Sequence, residues 1–332
     1  MTSAYPKAQY VRAMAKLGLA DLLAPGAMSP AELAKELSAD LEALTRFLRA
    51  CGVLGLVAEH TPGSFTLTGL GELLRSDHRL HAVARANASP QMYRPYEDIT
   101  HTVLTGRPAT EGVLGMGFWQ FLTENQEEER YFGELMSFVS AECGAAVAEH
   151  YDLSAYSKIV DVGGGHGALL TELLRASPHA SGVVYDLPGV VSQATKKLAV
   201  TDVADRISVV PGDFLQEVPH GGDLYVLKSV LCDWGDGPAA RILANIAEAC
   251  DGAPLLLIDW ALPDDPRLVD RDDPQRGMLP LMNFSVMLQI GGKVRTHTEY
   301  RTLLAGAGFE SVNTVSTTGS RMGWDLFEAR RS

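Results

Sequence analysis

Cysteine is scarce in this chain of 332 residues, and its four copies, Cys51, Cys143, Cys232 and Cys250, are scattered with no C-x-x-C pair among them. That spacing argues against a zinc site or a disulfide framework and for a reducing cytoplasm. No uninterrupted apolar run approaches ~20 residues, so no membrane span is expected. Residues 1–10 lack a basic start followed by an apolar stretch, so no signal peptide is expected. Internal repeats and low-complexity segments are absent as well. Positive charge is in short supply. The net charge is −13, and the first 100 residues hold ten basic and ten acidic side chains, so the whole imbalance falls on the remainder. An acidic C-terminal part disfavours nucleic acid and anionic membranes as partners and accommodates a cationic ligand. What is present is ordinary globular material: 46% apolar and 21% charged residues, in a chain long enough for two cores.

The first ~80 residues read as short helices followed by a hairpin. Residues 8–23 carry Val11, Met14, Leu17, Leu19 and Leu22 at helical spacing, until Pro25-Gly26 stops them. Ser29-Pro30-Ala31-Glu32 has the form of a capping box with proline in the first turn. Asp40 restarts the chain into a helix bearing Leu41, Leu44, Phe47, Leu48 and Cys51, ended by Gly52. Residues 54–59 and 64–68 read as two strands around Thr61-Pro62-Gly63. Helix, turn, helix, hairpin is the pattern of a winged helix. The helix that would enter a major groove begins Asp40-Leu41-Glu42-Ala43, and its two acids would face phosphates. A dimerisation or substrate-covering role is the expectation there, not DNA binding.

Residues 101–150 read as a helical connector. From residue 158 onward, apolar strands alternate with helices: 158–162, 181–186, 207–212, 224–228, 254–259, 309–316 and 324–329. That alternation implies a doubly wound α/β domain with a parallel sheet. The last two strands, joined by Thr318-Gly319-Ser320, should pair antiparallel.

After the first of these strands comes Gly163-Gly164-Gly165-His166-Gly167. Glycines there allow a tight turn and close backbone approach to a ligand. Gly163, Gly165 and Gly167 are spaced G-x-G-x-G, not the G-x-G-x-x-G of dinucleotide sites. Asp161 at the mouth of the turn would repel a pyrophosphate and welcome an ammonium group. Asp186 ends the second strand, where it can accept from ribose hydroxyls, and Asp213 ends the third, beside Phe214, where it can accept from an adenine amino group. Any one of these aspartates could simply cap a helix. Three at successive strand ends, with no basic residue in the turn, suit a sulfonium-bearing amino acid better than a diphosphate, and so disfavour a nicotinamide-dependent oxidoreductase.

Asp161–Gly167, Gly212–Phe214, the run Leu227-Lys228-Ser229-Val230-Leu231-Cys232-Asp233-Trp234 and Gly291-Gly292-Lys293-Val294-Arg295-Thr296 together resemble the caffeate-type small-molecule O-methyltransferases of plants and bacteria. Leu48-Arg49-Ala50, Leu67-Thr68, Gly106-Arg107-Pro108 and Phe118-Trp119 extend the resemblance over nearly the whole chain. It implies a Rossmann-like seven-stranded methyltransferase sheet over residues 151–332 and a mainly helical, winged-helix dimerisation domain over residues 1–100. It implies S-adenosyl-L-methionine (SAM) as cofactor and a homodimer in the cytoplasm. By resemblance Asp161, Gly163, Gly165, Asp186, Asp213, Phe214 and Lys228 hold the cofactor. An aromatic natural product is the implied substrate, in a pocket between the N-terminal helices and the strand ends lined by Met282, Asn283, Phe284 and Met287, with Phe118, Trp119 and Met136 opposite and Asp233 close by. No metal is implied.

The resemblance departs at the catalytic positions. A phenol with a pKa of ~10 is protonated at neutral pH, and the family supplies a histidine base where this chain has Cys232. The family's two supporting glutamates fall on Asp259, one methylene shorter, and on Val294. Three expectations follow. The acceptor, a ready anion, an acidic hydroxyl or an enolate-like carbon (O- or C-methylation), needs little help, and approximation supplies most of the rate. Or another group is the base: His297, His166, or Cys232 if its pKa is depressed. Or SAM is held without reacting, and the chain performs hydroxylation or pericyclic chemistry. Cys232 is otherwise a small residue lining the pocket.

Overall fold

A computed structural model describes residues 4–270, 272–273, 276–316 and 323–331. The chain divides into two compact units, Met1–Glu97 with Trp119–Leu135, and Asp98–Phe118 with Met136–Ser332. The stretch 101–150, read from the sequence as a connector, is shared between them.

In the first unit the periodic stretch from residue 8 is two helices, Ala4–Lys16 and Leu19–Leu23. Gly18 separates them in a left-handed conformation, φ 66°, which ends the helical ladder although the apolar spacing runs through it. Ser29 and Glu32 form the reciprocal capping box at the start of helix Pro30–Leu37. Asp40 caps helix Leu41–Val53 by accepting from the Ala43 N–H at 2.8 Å. That helix runs one residue past Gly52, and the reversal falls on Gly55, φ 75°. Strands β1 (Val57–Thr61) and β2 (Ser64–Leu67) pair antiparallel across Gly63. Met14, Leu19, Leu33, Leu48, Leu56 and Phe65 form a continuous apolar core beneath the hairpin.

The second unit is built on a seven-stranded sheet: β3 (Lys158–Val162), β4 (Ser181–Asp186), β5 (Ile207–Pro211), β6 (Leu224–Lys228), β7 (Leu255–Asp259), β8 (Ser311–Ser316) and β9 (Asp325–Arg330). Their order is β5-β4-β3-β6-β7-β9-β8. β5 through β7 are parallel, and β9 runs antiparallel to both its neighbours. The turn 318–320 lies outside the described residues. β3, β6 and β7 read as near-continuous apolar runs because helices cover both faces, and two core clusters lie on the two sides of the sheet. The chain starts at β3, winds outward to β5, and returns across β3 to β6. Ligands bind at the carboxyl ends of strands where the order reverses in this way, here between β3 and β6.

Candidate active site

The turn after β3 takes the form its glycines permit. Gly163, Gly165 and Gly167 have φ of 70°, 57° and 78°. A Cβ at Gly163 would fall 2.7 Å from Val230 Cγ2. The turn is tied to β4: the Gly163 N–H donates to the Tyr185 carbonyl at 2.8 Å, and the Gly165 N–H donates to Asp186 Oδ2 at 2.8 Å. The other oxygen, Oδ1, accepts from the Leu187 N–H. Burial raises the Asp186 carboxyl pKa, and these two N–H groups counter the rise. Asp161 lies beneath Gly164, 1% exposed, rather than out in the mouth of the turn, and its Oδ2 is buried without a hydrogen bond. Burial pushes its carboxyl up to about 7, with Lys228 pulling down and Asp186 pushing up. Asp213 accepts from the Leu215 N–H, and Phe214 meets Trp234 edge-on at 6.2 Å. Lys228 donates to Ser140 Oγ at 3.1 Å and lies 5.1 Å from the centre of the Trp324 ring.

Beyond β6 the backbone is forced. Ser229, a non-glycine, has φ 51° and a buried hydroxyl without a hydrogen bond. Such strain gathers at functional sites. Cys232 and Asp233 follow on a short 3₁₀ turn, Leu231–Asp233. The segment Gly291–Arg295 clamps this turn. The Lys293 N–H donates to the Cys232 carbonyl at 2.8 Å, and Gly292 approaches that carbonyl too closely to carry a Cβ. Arg295, fully buried, donates to the carbonyls of Leu231 (2.8 Å), Trp234 (2.8 Å) and Lys293 (3.2 Å) and to Asp236 Oδ1 (2.8 Å). Sequence reading placed Arg295 inside a motif but gave it no task. Its partners on the turn lie some sixty positions away and are visible only in three dimensions.

Cys232 donates its thiol proton to Asp233 Oδ1 at 3.7 Å. Burial, then Asp259 and Asp233, push the thiol well above its usual value. The condition set for Cys232 as a base, a depressed pKa, is the opposite of what surrounds it. Burial and Asp259 push Asp233 up to about 7. Asp259, fully buried, is pushed by burial to about 6, with Tyr300, the Trp260 N–H and Cys232 restraining the rise. Val294 is sealed, and its N–H donates to Asn283 Oδ1 at 2.9 Å, so the side-chain oxygen of Asn283 is spent on backbone. Met282, Phe284 and Met287 are half-buried on helix Leu279–Ile290. Met136 is exposed at the start of the second unit. Trp119 belongs to the first unit, where its ring meets Phe132 edge-on at 6.0 Å.

The two histidines raised as candidate bases have engaged ring nitrogens. His297 Nδ1 faces the Leu262 carbonyl and Nε2 faces Asp325 Oδ1, each at 3.3 Å. Asp325, 2% exposed, also receives Arg276 at 3.2 Å and the Ala261 N–H at 3.1 Å. His297 is thus part of a buried ionic cluster that ties helix His297–Gly306 to the start of β9. His166 Nδ1 lies 3.2 Å from Ser137 Oγ and 2.9 Å from Lys197 Nζ.

Residues 96–310 match the O-methyltransferase domain, and residues 1–77 match the O-methyltransferase dimerisation domain. The chain belongs to the O-methyltransferase family. A phenazine O-methyltransferase from Lysobacter antibioticus is 34% identical over 99% of this chain and 94% of its own. An aclacinomycin 10-hydroxylase from Streptomyces purpurascens is 31% identical over 93% of this chain and 83% of its own. The structure of an O-methyltransferase of neocarzinostatin biosynthesis, in complex with S-adenosyl-L-homocysteine (SAH) and 1,4-dihydroxy-2-naphthoic acid, superposes with a TM-score of 0.79 at 31% identity, covering 98% of this chain and 96% of that one.

SAM is the family's cofactor, and this family member is a SAM-dependent methyltransferase. The residues present fit such a ligand. A buried carboxylate oxygen without a donor calls for a cation or a hydrogen-bond donor, and Asp161 provides one beneath Gly164 of the glycine turn. Each oxygen of Asp186 accepts from one backbone N–H, and Asp213 accepts from one, so both carboxylates keep lone pairs for a ligand's hydroxyl or amino groups. Among the described residues no helix is long and apolar enough to cross a membrane, and no cluster of acids, histidines and cysteines could hold a metal.

Proposed function

We propose that the protein methylates a hydroxyl group on a small aromatic acceptor and works as a homodimer joined through residues 1–77. Asp161, Gly163, Gly165, Asp186, Asp213, Phe214 and Lys228 hold the cofactor at the ends of β3, β4, β5 and β6. When bound, SAM supplies a methyl group activated by its sulfonium charge. The acceptor is held against Met282 and Met287, with its hydroxyl toward Asp233. The observation that carries this reading is the Cys232-Asp233 turn, which stands at the end of β6, next in the sheet to the glycine turn after β3. Strand ends one position apart support an acceptor held beside a methyl donor, and proximity of this kind lowers a barrier by several kcal/mol, roughly 7–11 at best. The phenazine named for one relative and the dihydroxynaphthoic acid bound to another support an aromatic hydroxyl. The dimerisation-domain match supports the dimer.

The test is mass spectrometry of the purified protein with SAM and a panel of hydroxylated phenazines and naphthoic acids. The expected result is SAH together with an acceptor heavier by one methylene. Unconsumed SAM with an acceptor gaining oxygen, the chemistry named for the hydroxylase relative, overturns methyl transfer. Light scattering at twice the chain mass checks the dimer.

A further inference from the structure

Beyond β6 and β7, the Cys232 thiol donates to Asp233, and Asp259 on β7 and Tyr300 on helix His297–Gly306 lie near enough to influence their charge. Cys232, Asp259 and Tyr300 are sealed, while Asp233 alone of the four is half-buried. A group that takes a proton from a bound molecule must come within hydrogen-bond reach of it. The thiol of Cys232 is committed to Asp233, and the side chain at position 294 is a valine. His297 and His166, the other bases considered, are engaged elsewhere.

We propose that Asp233 is the proton acceptor for the acceptor's hydroxyl, with Asp259 a positioning residue that tunes it from below. This rests on the reading that a hydroxyl is methylated. The acceptor's O–H bond breaks, the proton passes to an oxygen of Asp233, and the electron pair stays on the acceptor oxygen, which becomes the nucleophile. The proton leaves Asp233 for solvent after the product departs. The groups that face Asp233 from the elements packed around it suit the task. Asp259 on β7 disfavours its charge and so makes it a stronger base. Burial is the largest cause raising its carboxyl; Cys232 on its own turn donates to it, and Lys228 on β6 pulls the other way. Its backbone is held by the clamp of Gly292, Lys293 and Arg295, so the carboxylate is aimed before any substrate arrives.

Two variants and a series of ring-substituted 2-naphthols of graded hydroxyl pKa, used alongside the acceptor found by screening, test this. Asp233→Asn should lower kcat by ~100- to 1000-fold, as expected for a lost general base, while SAH affinity by calorimetry stays unchanged. The rise of kcat/KM with pH through about 7 should disappear, and the deficit should shrink as the naphthol becomes more acidic. Asp259→Asn should shift that rise to lower pH while keeping most of the rate. Retention of activity within ~3-fold by Asp233→Asn, or a loss equal across the series, overturns the proposal. Wild-type turnover judges the proposed function, whereas the ratio of variant to wild type judges Asp233. A measurement needing no acceptor adds to this. The carboxyl carbon resonance of Asp233 in the SAH complex should titrate near neutrality and move to lower pH in Asp259→Asn. Titration in the ordinary carboxylate range overturns the assignment.

Discussion

Replacing Arg295 by methionine keeps the volume of the side chain's stem and removes its five donors. The guanidinium is fully buried and serves the carbonyls of Leu231, Trp234 and Lys293 as well as Asp236. Asp236 is largely exposed and regains water when its partner is lost, so little of the cost falls there. The three carbonyls lose charge-assisted bonds worth about 1.5–3 kcal/mol each before relaxation. Partial relaxation and recruited water leave a net loss of about 4 kcal/mol, within the range for breaking a buried ionic contact. For a unit of this size each kcal/mol moves Tm by roughly 2–4 °C, so calorimetry should record a drop of about 12 °C in the second unit's transition. Freed from the clamp, the Leu231–Asp233 turn should also lose its aim. Turnover in the surviving folded protein should fall by ~10-fold or more, while SAH affinity, proposed to rest mainly on groups at the ends of β3 to β5, changes little. Arg295→Lys should restore part of the stability, because an ammonium reaches some of these carbonyls but cannot fork across them. A Tm shift under ~3 °C together with unchanged turnover would refute the view that this guanidinium holds the catalytic turn.

Asp186→Ala should weaken SAM and SAH binding by about 1–3 kcal/mol, read by titration calorimetry, and unchanged affinity would remove Asp186 from the cofactor site. Cys232→Ala should reduce turnover by less than ~10-fold, because the thiol is held neutral, and a ~1000-fold loss would mark it as the base after all. His297→Gln should leave the pH–rate profile unchanged. The paired imidazole has its pKa raised chiefly by Asp325, so its stabilisation is full below the ordinary histidine pKa and is lost as pH rises through the raised value. The variant's Tm deficit should therefore be larger at pH 5.5 than at pH 8.5. Asp161 gives a slope of the same sign, through a penalty on its charged form rather than a bonus for it. Its carboxyl is raised to about 7, so the folded protein binds more protons than the unfolded chain between about pH 4 and 7. Ligand-free protein should lose thermal stability as pH rises across that window, Asp161→Asn should flatten the loss, and an equal slope in the variant would exclude Asp161 as its source.

Strands β3, β4, β6 and β7 were legible because their central residues are buried on both faces and are mostly Val, Ile and Leu. β8 starts two residues later than its apolar run suggests, because the Phe309 N–H still donates to the Leu304 carbonyl behind it. The capping box at Ser29 was legible because both of its partners lie within four residues. The break at Gly18 was not, since Leu17 and Leu19 keep the apolar rhythm on either side of it. In the candidate site, residue types at strand ends were readable. What each polar atom is spent on was not. Asn283 looked like a substrate contact, yet its oxygen holds the Val294 N–H. His297 was a candidate base, yet it closes a cluster with Asp325, whose other partners, Arg276 and Ala261, lie far off in sequence. Ser229 gave no signal, because a strained backbone angle leaves no trace in composition.

The reversal of strand order at β3 divides the site by chain position. The groups assigned to the cofactor hang on the outgoing half of the sheet, β3 to β5, with Lys228 as the one contribution from β6. The groups assigned to the acceptor hang on the returning half and on helix Leu279–Ile290. Because the two sets share almost no side chains, a lineage can exchange Met282, Phe284 or Met287, or rewrite the Cys232-Asp233 pair, without disturbing the grip on the methyl donor. Acceptor preference and donor affinity are therefore separable traits, and libraries confined to residues 279–290 can search for new acceptors on a donor site that stays fixed.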